Sequence, residues 1–518
     1  MHRALGILEM VELICENSTK RTGFPDDASL AVLARTCKFF TNPALNVLWK
    51  SQYTILNVLK CMPDELWEIT SPAAVSLRRS LVASDWDRPL FYLNRVKCFQ
   101  CMALFSDTSF LAALAASLHS LSMKHLFPKL EELWWPVEAL FVRHIDLFLT
   151  AELRHLLMFA HNEDNVDLDP LLPVVAGFPS SCPLLRSLEI TLDNPGHTTP
   201  LTSSLSACVR GLKYIDSIHV PSLDESALLY LAELTSLKTL TIKFIPPLRS
   251  SSWAQIKSCY PSLTQLTLGT PDETAELLSL SQWKAHPLGS LCVRSVGTDF
   301  THNAAHNFFT ILKTHCSHSS LQSITIGSQY NQPVQDIQDP AFIVGPDVFR
   351  RMSCFTDLRY LSITSSRGFD LDDMSVAEIA RTWPRLQTLA LSAAPHYHVP
   401  SRVTLEGISA LAKHCTDLRM LSMTFDATVV PTPDTVPQGQ DGADIASPRH
   451  SLRILQVNQT PILDAQAVAD FLAPVFPELA VIWTTQMMTA SQEDALSPDE
   501  ERWRTVLKKM KPEVVRRP

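Results

Sequence analysis

Glycine is scarce in this chain, with 14 in 518 residues against 35 prolines. That excludes collagen-like sequence and long flexible glycine linkers, and it makes kinks common. Charge is thin as well. Charged side chains make up 19% of the residues, and 44 cations against 53 acids leave a formal net charge of −9. A domain built to wrap phosphate backbones should be basic, so general nucleic-acid binding is disfavoured. A hydrophobic content of 46% excludes intrinsic disorder. No run reaches the ~20 apolar residues that span a bilayer. The best candidate, Ser109 to Met123, is only 15 long and contains His119 and four serines. The apolar start, Ala4 to Leu8, is broken by Glu9 and Glu12, too short and too acidic for a secretory signal. A cytoplasmic or nuclear setting is therefore expected. There the twelve dispersed cysteines stay free thiols and the sequon Asn17-Ser18-Thr19 stays unmodified.

Enzyme signatures are also missing. The sequence has no GxGxxG, no GxxxxGK[ST], no GxSxG and no HExxH. No catalytic residue, metal or cofactor is assigned. The nearest histidine arrangement is His302 and His306, four apart, followed by His315, Cys316 and His318. Asn303 stands where a zinc hydrolase needs Glu, so these read as a solvated helix face. His396-Tyr397-His398 reads as loop. The single CxxC, Cys98 to Cys101, has no second pair and reads as two faces of one helix.

What is present is a repeat. Length alone suggests three or four domains of ~150 residues. Instead, L-x-x-L-x-L recurs as LRSLEI from Leu185, LKTLTI from Leu237, LTQLTL from Leu263 and LQSITI from Leu321. LRYLSI from Leu358, LQTLAL from Leu386, LRMLSM from Leu418, LRILQV from Leu452 and LAVIWT from Leu479 follow. Weaker copies start at Leu130, Leu153, Leu212 and Leu288, and the mean period is about 29 residues. Each copy ends in a short apolar/polar alternation, a strand with one buried face. Between copies lie helical patterns such as Asp224 to Leu231 and Thr404 to Leu411, with Asp or Thr at the start and Glu in the first turn. One strand and one helix cannot bury an apolar face alone, and stacking identical units can.

Over roughly residues 105 to 490 the chain resembles the leucine-rich repeat family. The implied fold is an α/β solenoid, a curved parallel sheet with outer helices. Cys182, Cys259, Cys316, Cys354 and Cys415 each precede a leading Leu by three to five residues, as in the cysteine-containing subclass, and are expected to pack at the helix-to-strand turn.

Residues 1 to 69 carry no repeat and read as three short helices. ALGILEMVELICENS, SLAVLARTCKFF and PALNVLWK, within Ala4 to Lys50, resemble the F-box domain, in a form found in fungal F-box proteins with leucine-rich repeats. Leu8 stands where many F-boxes have Pro. The resemblance implies the substrate-recognition subunit of a cullin-type (SCF) ubiquitin ligase. Its F-box would bind a Skp-family adaptor through Ile7, Leu8, Val11, Ile14, Leu30, Leu33, Phe40 and Trp49, some of which must instead form the core. A repeat scaffold that recruits no ligase is the alternative.

The expected layout is an F-box-like domain (1–69), a helical linker or cap (70–104), the solenoid (105–490) and a capped amphipathic helix with a basic tail (491–518). Residues alternating with the buried strand positions, from Ser187, Glu189 and Thr191 to Gln456 and Asn458, form a face rich in Ser and Thr with few charges. A phosphate or nucleic-acid reader would concentrate Lys and Arg there. Neither nucleic acid nor membrane is expected as a partner. Lys243, Arg294, Tyr360 and Met420 are the least generic positions on the face and the candidates for contact with a target protein. The insertions 327–345 and 427–450 follow strands on one rim and add a second candidate surface. Ser497-Pro498-Asp499-Glu500 is a capping box. The stripe Trp503, Val506, Leu507 and Met510 behind it is expected to close the end of the stack.

Overall fold

A computed structural model describes residues 8–18, 26–71, 74–101, 109–160, 167–192, 199–244, 248, 253, 259–269, 287–295, 301–328, 340–365, 367–393, 400–431, 450–484 and 497–510. The chain divides into two compact units, Met1–Leu231 and Ala232–Pro518.

The first unit begins with three helices, α1 (Leu8–Glu16), α2 (Asp27–Thr36) and α3 (Lys38–Lys50). α3 runs without a linker into β1 (Ser51–Gln52), which pairs in parallel with β4 (Cys98–Gln100). A two-stranded antiparallel hairpin, β2 (Trp67–Ser71) and β3 (Ala74–Leu77), lies between them in sequence and outside the ladder. The ladder continues in chain order through β5 (Glu132–Pro136), β6 (His155–Phe159), β7 (Ser187–Thr191) and β8 (Ser217–Ser222).

The second unit repeats the scheme with nine strands. These are β9 (Thr239–Phe244), β10 (Gln265–Leu268), β11 (Ser290–Ser295), β12 (Ser323–Ser328), β13 (Tyr360–Ser365), β14 (Thr388–Ala393), β15 (Met420–Met423), β16 (Ile454–Asn458) and β17 (Val481–Thr484). Every pairing among them is parallel.

The fold is therefore a leucine-rich-repeat solenoid, and the motif explains it locally. In Leu358-Arg359-Tyr360-Leu361-Ser362-Ile363, all four apolar positions but the exposed Tyr360 point inward, and Leu358, Leu361 and Ile363 are fully buried. The amides of Arg359 and Tyr360 both donate to Gln322 O on the preceding rung, and most rungs copy this entry. Columns such as Leu240, Leu266, Leu291, Ile324, Leu361, Leu389, Leu421, Leu455 and Ile482 stack in register. Each buried aliphatic side chain stabilises the stack by about 1.5–3 kcal/mol.

Outer helices start on side-chain caps. Asp372 accepts from Ser375 N at 2.9 Å, Thr404 from Glu406 N at 3.1 Å, and Asp464 from Gln466 N and Ala467 N. Helices 302–315 and 405–414 end in Cys316 and Cys415, whose amides bond Leu312 O and Leu411 O. The Cys415 thiol also lies 3.5 Å from Ala380 O and Trp383 O of the previous repeat. Cys182, Cys259, Cys316 and Cys415 are buried and Cys354 is half-buried.

Four readings of the sequence need correction. The ladder reaches back to Ser51 rather than beginning near 105, because Val96-x-x-Phe99-x-Cys101 is a copy of the motif with Phe and Cys in Leu positions. The segment 70–104, expected as helical, accordingly supplies strands β3 and β4 besides a 3-10 turn, Ala83–Trp86, and a short α-helix, Pro89–Leu93. The CxxC is on β4 and not on a helix. Successive strand residues alternate sides, so Cys98 is half-buried on one face and Cys101 buried in the core. Burial pushes the two thiols up to about 11 and about 12, so they remain protonated. The weak copy expected from Leu212 starts instead at Ile215, whose register places Ile218 and Val220 in the core.

Candidate interaction surfaces

α1, α2 and α3 have a core of their own, built from Val11, Cys15, Leu30, Ala34, Phe40 and Ala44, with Leu33, Leu45, Val47 and Leu48 packed around it. Asp26 caps α2 by accepting from Ser29 N, and Thr41 Oγ1 donates to Ala34 O at 2.9 Å to tie α3 to α2. Trp49 stacks on Tyr92 with ring centroids 4.5 Å apart. Arg95 donates to Asn42 Oδ1 at 2.9 Å and to Asn46 Oδ1.

This arrangement sorts the expected adaptor contacts. Val11, Leu30 and Phe40 are buried in that core and Trp49 is buried against Tyr92, a correction forced by packing. Leu33 packs partly against the same core. Leu8 and Ile14 are exposed, and Ile7 lies outside the described residues. Sequence reasoning missed Met10, Leu13, Val32 and Phe39, all large apolar side chains at least 37% exposed. The signal was present in α1, whose apolar positions span a wider arc than Val11 and Cys15 alone can bury. Large apolar side chains exposed together on one small helical unit are the kind of surface on which partners dock.

The open face of the sheet is the second surface. In the first unit, Gln100, Trp134, Leu157, Glu189 and His219 stand side by side in one register row. Trp134 Nε1 donates to Glu132 Oε1 at 2.8 Å, which holds the indole against the sheet. His219 Nδ1 is 3.0 Å from Glu189 Oε1, and that hydrogen bond, opposed by partial burial, lowers the Glu189 carboxyl from its ordinary value. Trp134, Leu157 and Phe159 are half-buried and were not among the sequence candidates, because their copies of the motif are the weak ones.

In the second unit the four candidates fall into two pairs. Tyr360 and Met420 flank Thr388 in one row, roughly 10 Å apart at ~4.8 Å per strand. Tyr360 is exposed and Met420 half-buried. Lys243 and Arg294 follow positions paired with Leu268, so they sit on either side of the Gly269 rung near the strand ends. The structure does not gather all four into one cluster. Gly269 has a local reason to be glycine, since a Cβ there would lie 1.6 Å from Lys243 O. Ser422, expected on the open face, is buried in it, with its hydroxyl 3.5 Å from that of Ser392.

His302 accepts from Gly345 N through Nδ1 at 3.3 Å and lies 3.4 Å from Asp347, so it serves the junction between repeats. Among the described residues no three His, Cys, Asp or Glu side chains could hold a metal ion. Among them, too, no helix is long and apolar enough to cross a membrane. Tyr330, His396 to His398 and most of the 427–450 insertion lie outside the described residues.

No family model matches the chain, and no curated protein sequence does. Among solved structures, the complex of Rad7 and Elc1 in yeast is similar, with a TM-score of 0.35 and 13% identity. The alignment covers 76% of this chain and 87% of that one. A likeness of that size says nothing about partners.

Proposed function

We propose that the chain is a non-catalytic substrate-recognition subunit of a cullin-type ubiquitin ligase. Its three-helix unit binds a Skp-family adaptor, and the strand ladder binds the protein to be modified. One observation carries this reading. A separately cored helical unit leaves Leu8, Met10, Leu13, Ile14 and Phe39 open to solvent, and its last helix leads directly into the ladder. The F-box resemblance of Ala4 to Lys50 supports the same assignment. Target contact falls to the Trp134–Leu157 row and the Tyr360–Met420 pair, where large side chains interrupt a face otherwise built from Ser and Thr.

The test is co-purification of the full chain with a Skp-family adaptor and a cullin, beside a Leu13→Asp, Ile14→Asp variant. Both positions are exposed, so the variant should keep the wild-type thermal transition while adaptor recovery falls by about tenfold or more. Equal and negligible recovery by both proteins sinks the ligase assignment and leaves a repeat scaffold.

A further inference from the structure

On the helical side of the second unit, away from the ladder, two cations from successive repeats converge. Lys313 lies in the last turn of helix His302–His315, and Arg351 ends helix Pro346–Arg351. With Thr310, Thr314, Ser317 and Ser319 they line an open pocket of about 710 Å³ that no carboxylate lines among the described residues. Arg351 Nη1 donates to Thr310 Oγ1 at 3.2 Å, which sets the guanidinium against the pocket wall. Its Nε is buried and faces away from solvent. The hydroxyls of Ser317 and Ser319 lie 3.4 Å apart on the turn beside it.

We propose that this pocket binds a phosphate monoester or a free phosphate dianion. Arg351 offers its second guanidinium nitrogen, Lys313 its ammonium, and the two serines hydroxyl donors. Together they suit a tetrahedral group with three acceptor oxygens better than a flat carboxylate with two. The end of helix 302–315 would by itself oppose an anion. Its carbonyls are partly occupied, however, since Cys316 N bonds Leu312 O and His318 Nε2 lies 2.8 Å from Lys313 O. In a chain of net charge −9, a carboxylate-free pocket with two cations is a local reversal of sign. The proposal does not depend on adaptor binding.

Calorimetric titration of the full chain tests it, with inorganic phosphate as one probe and a phosphothreonine peptide, beside its unmodified twin, as the other. Saturable binding of phosphate is expected near neutral pH, where the dianion predominates. Lys313→Gln, at an exposed position, and Arg351→Gln should each weaken it by roughly tenfold or more. A phosphopeptide that binds more tightly than phosphate identifies a modified side chain as the natural ligand, and equal affinity identifies the free ion. Absence of saturable binding by either probe overturns the proposal, as does wild-type affinity in Lys313→Gln.

Discussion

Trp503→Ala should release the closing helix of the second unit while leaving the ladder folded. Helix Pro498–Met510 begins with a reciprocal capping box, Ser497 N donating to Glu500 Oε2 at 3.1 Å and Glu500 N to Ser497 Oγ at 3.3 Å. Trp503 is its anchor. The indole is buried, meets Phe425 edge to face at 5.9 Å, and donates through Nε1 to Thr460 O at 2.9 Å. Truncating a buried Trp costs about 3–5 kcal/mol, and the orphaned Thr460 carbonyl belongs within that figure. The only other fully buried apolar side chain of the helix is Val506, worth about 1.5–3 kcal/mol. A helix of 13 residues is marginal once undocked. The loss therefore exceeds what Val506 supplies, leaving the Arg502 bond to Ile462 O and the Lys509 bond to Gln466 as the other ties. Hydrogen exchange read by mass spectrometry should show protection lost across 498–510 and reduced over 454–484. Trp503→Phe, which keeps most of the packing and loses the hydrogen bond, should lose about 1 kcal/mol and keep the helix docked. If the 498–510 amides of Trp503→Ala exchange within about twofold of wild type, this account of the end closure is wrong.

Further outcomes are expected of the buried thiols and of one shared helix cap. Burial raises the thiols of Cys101, Cys182, Cys208, Cys316 and Cys415 to about 12 and that of Cys98 to about 11. Iodoacetamide at pH 8 should spare all six in the native protein and label them only in denaturant. Because an unfolded thiol ionises near pH ~8.5, these residues favour the folded state below that pH, and stability should fall as pH rises above it. Rapid labelling of native Cys415 would contradict its placement. Asp373 accepts from Thr404 N at 2.7 Å, Thr404 Oγ1 at 2.8 Å and Gly407 N at 3.0 Å, capping the helix of the next repeat. Asp373→Ala should lower stability by about 1–2 kcal/mol in urea melts. Gly407→Ala should do comparable harm, since its Cβ would meet Asp373 Oδ1 at 2.5 Å; a neutral result for both would refute the shared cap.

The repeat could be read from the sequence because Leu at three spaced positions is itself the core. Wherever another residue fills those positions the reading failed. Phe99 and Cys101 hid the β4 rung. Gln52 hid the first one: it sits buried at a core position, with Nε2 bonded to Leu48 O and Oε1 accepting from Asn57 Nδ2. In the N-terminal helices, hydrophobicity alone could not separate Val11 from Leu13, because the difference is which side of α1 meets α3. The Lys313–Arg351 pocket was beyond sequence altogether, since it joins side chains 38 positions apart whose proximity only the stacking of repeats creates.

The direct passage from α3 into β1 has a mechanical consequence. Lys50 ends the helix, Ser51 begins the ladder, and Trp49, Asn42 and Asn46 are clamped to Tyr92 and Arg95. A hinge needs a few residues free to change their backbone angles, and none lies at this junction. The three helices are thus held at one fixed attitude to the first rungs of the sheet. If an adaptor docks there as proposed, the helical unit would act as a set square, fixing the angle between that adaptor and whatever lies on the first rungs.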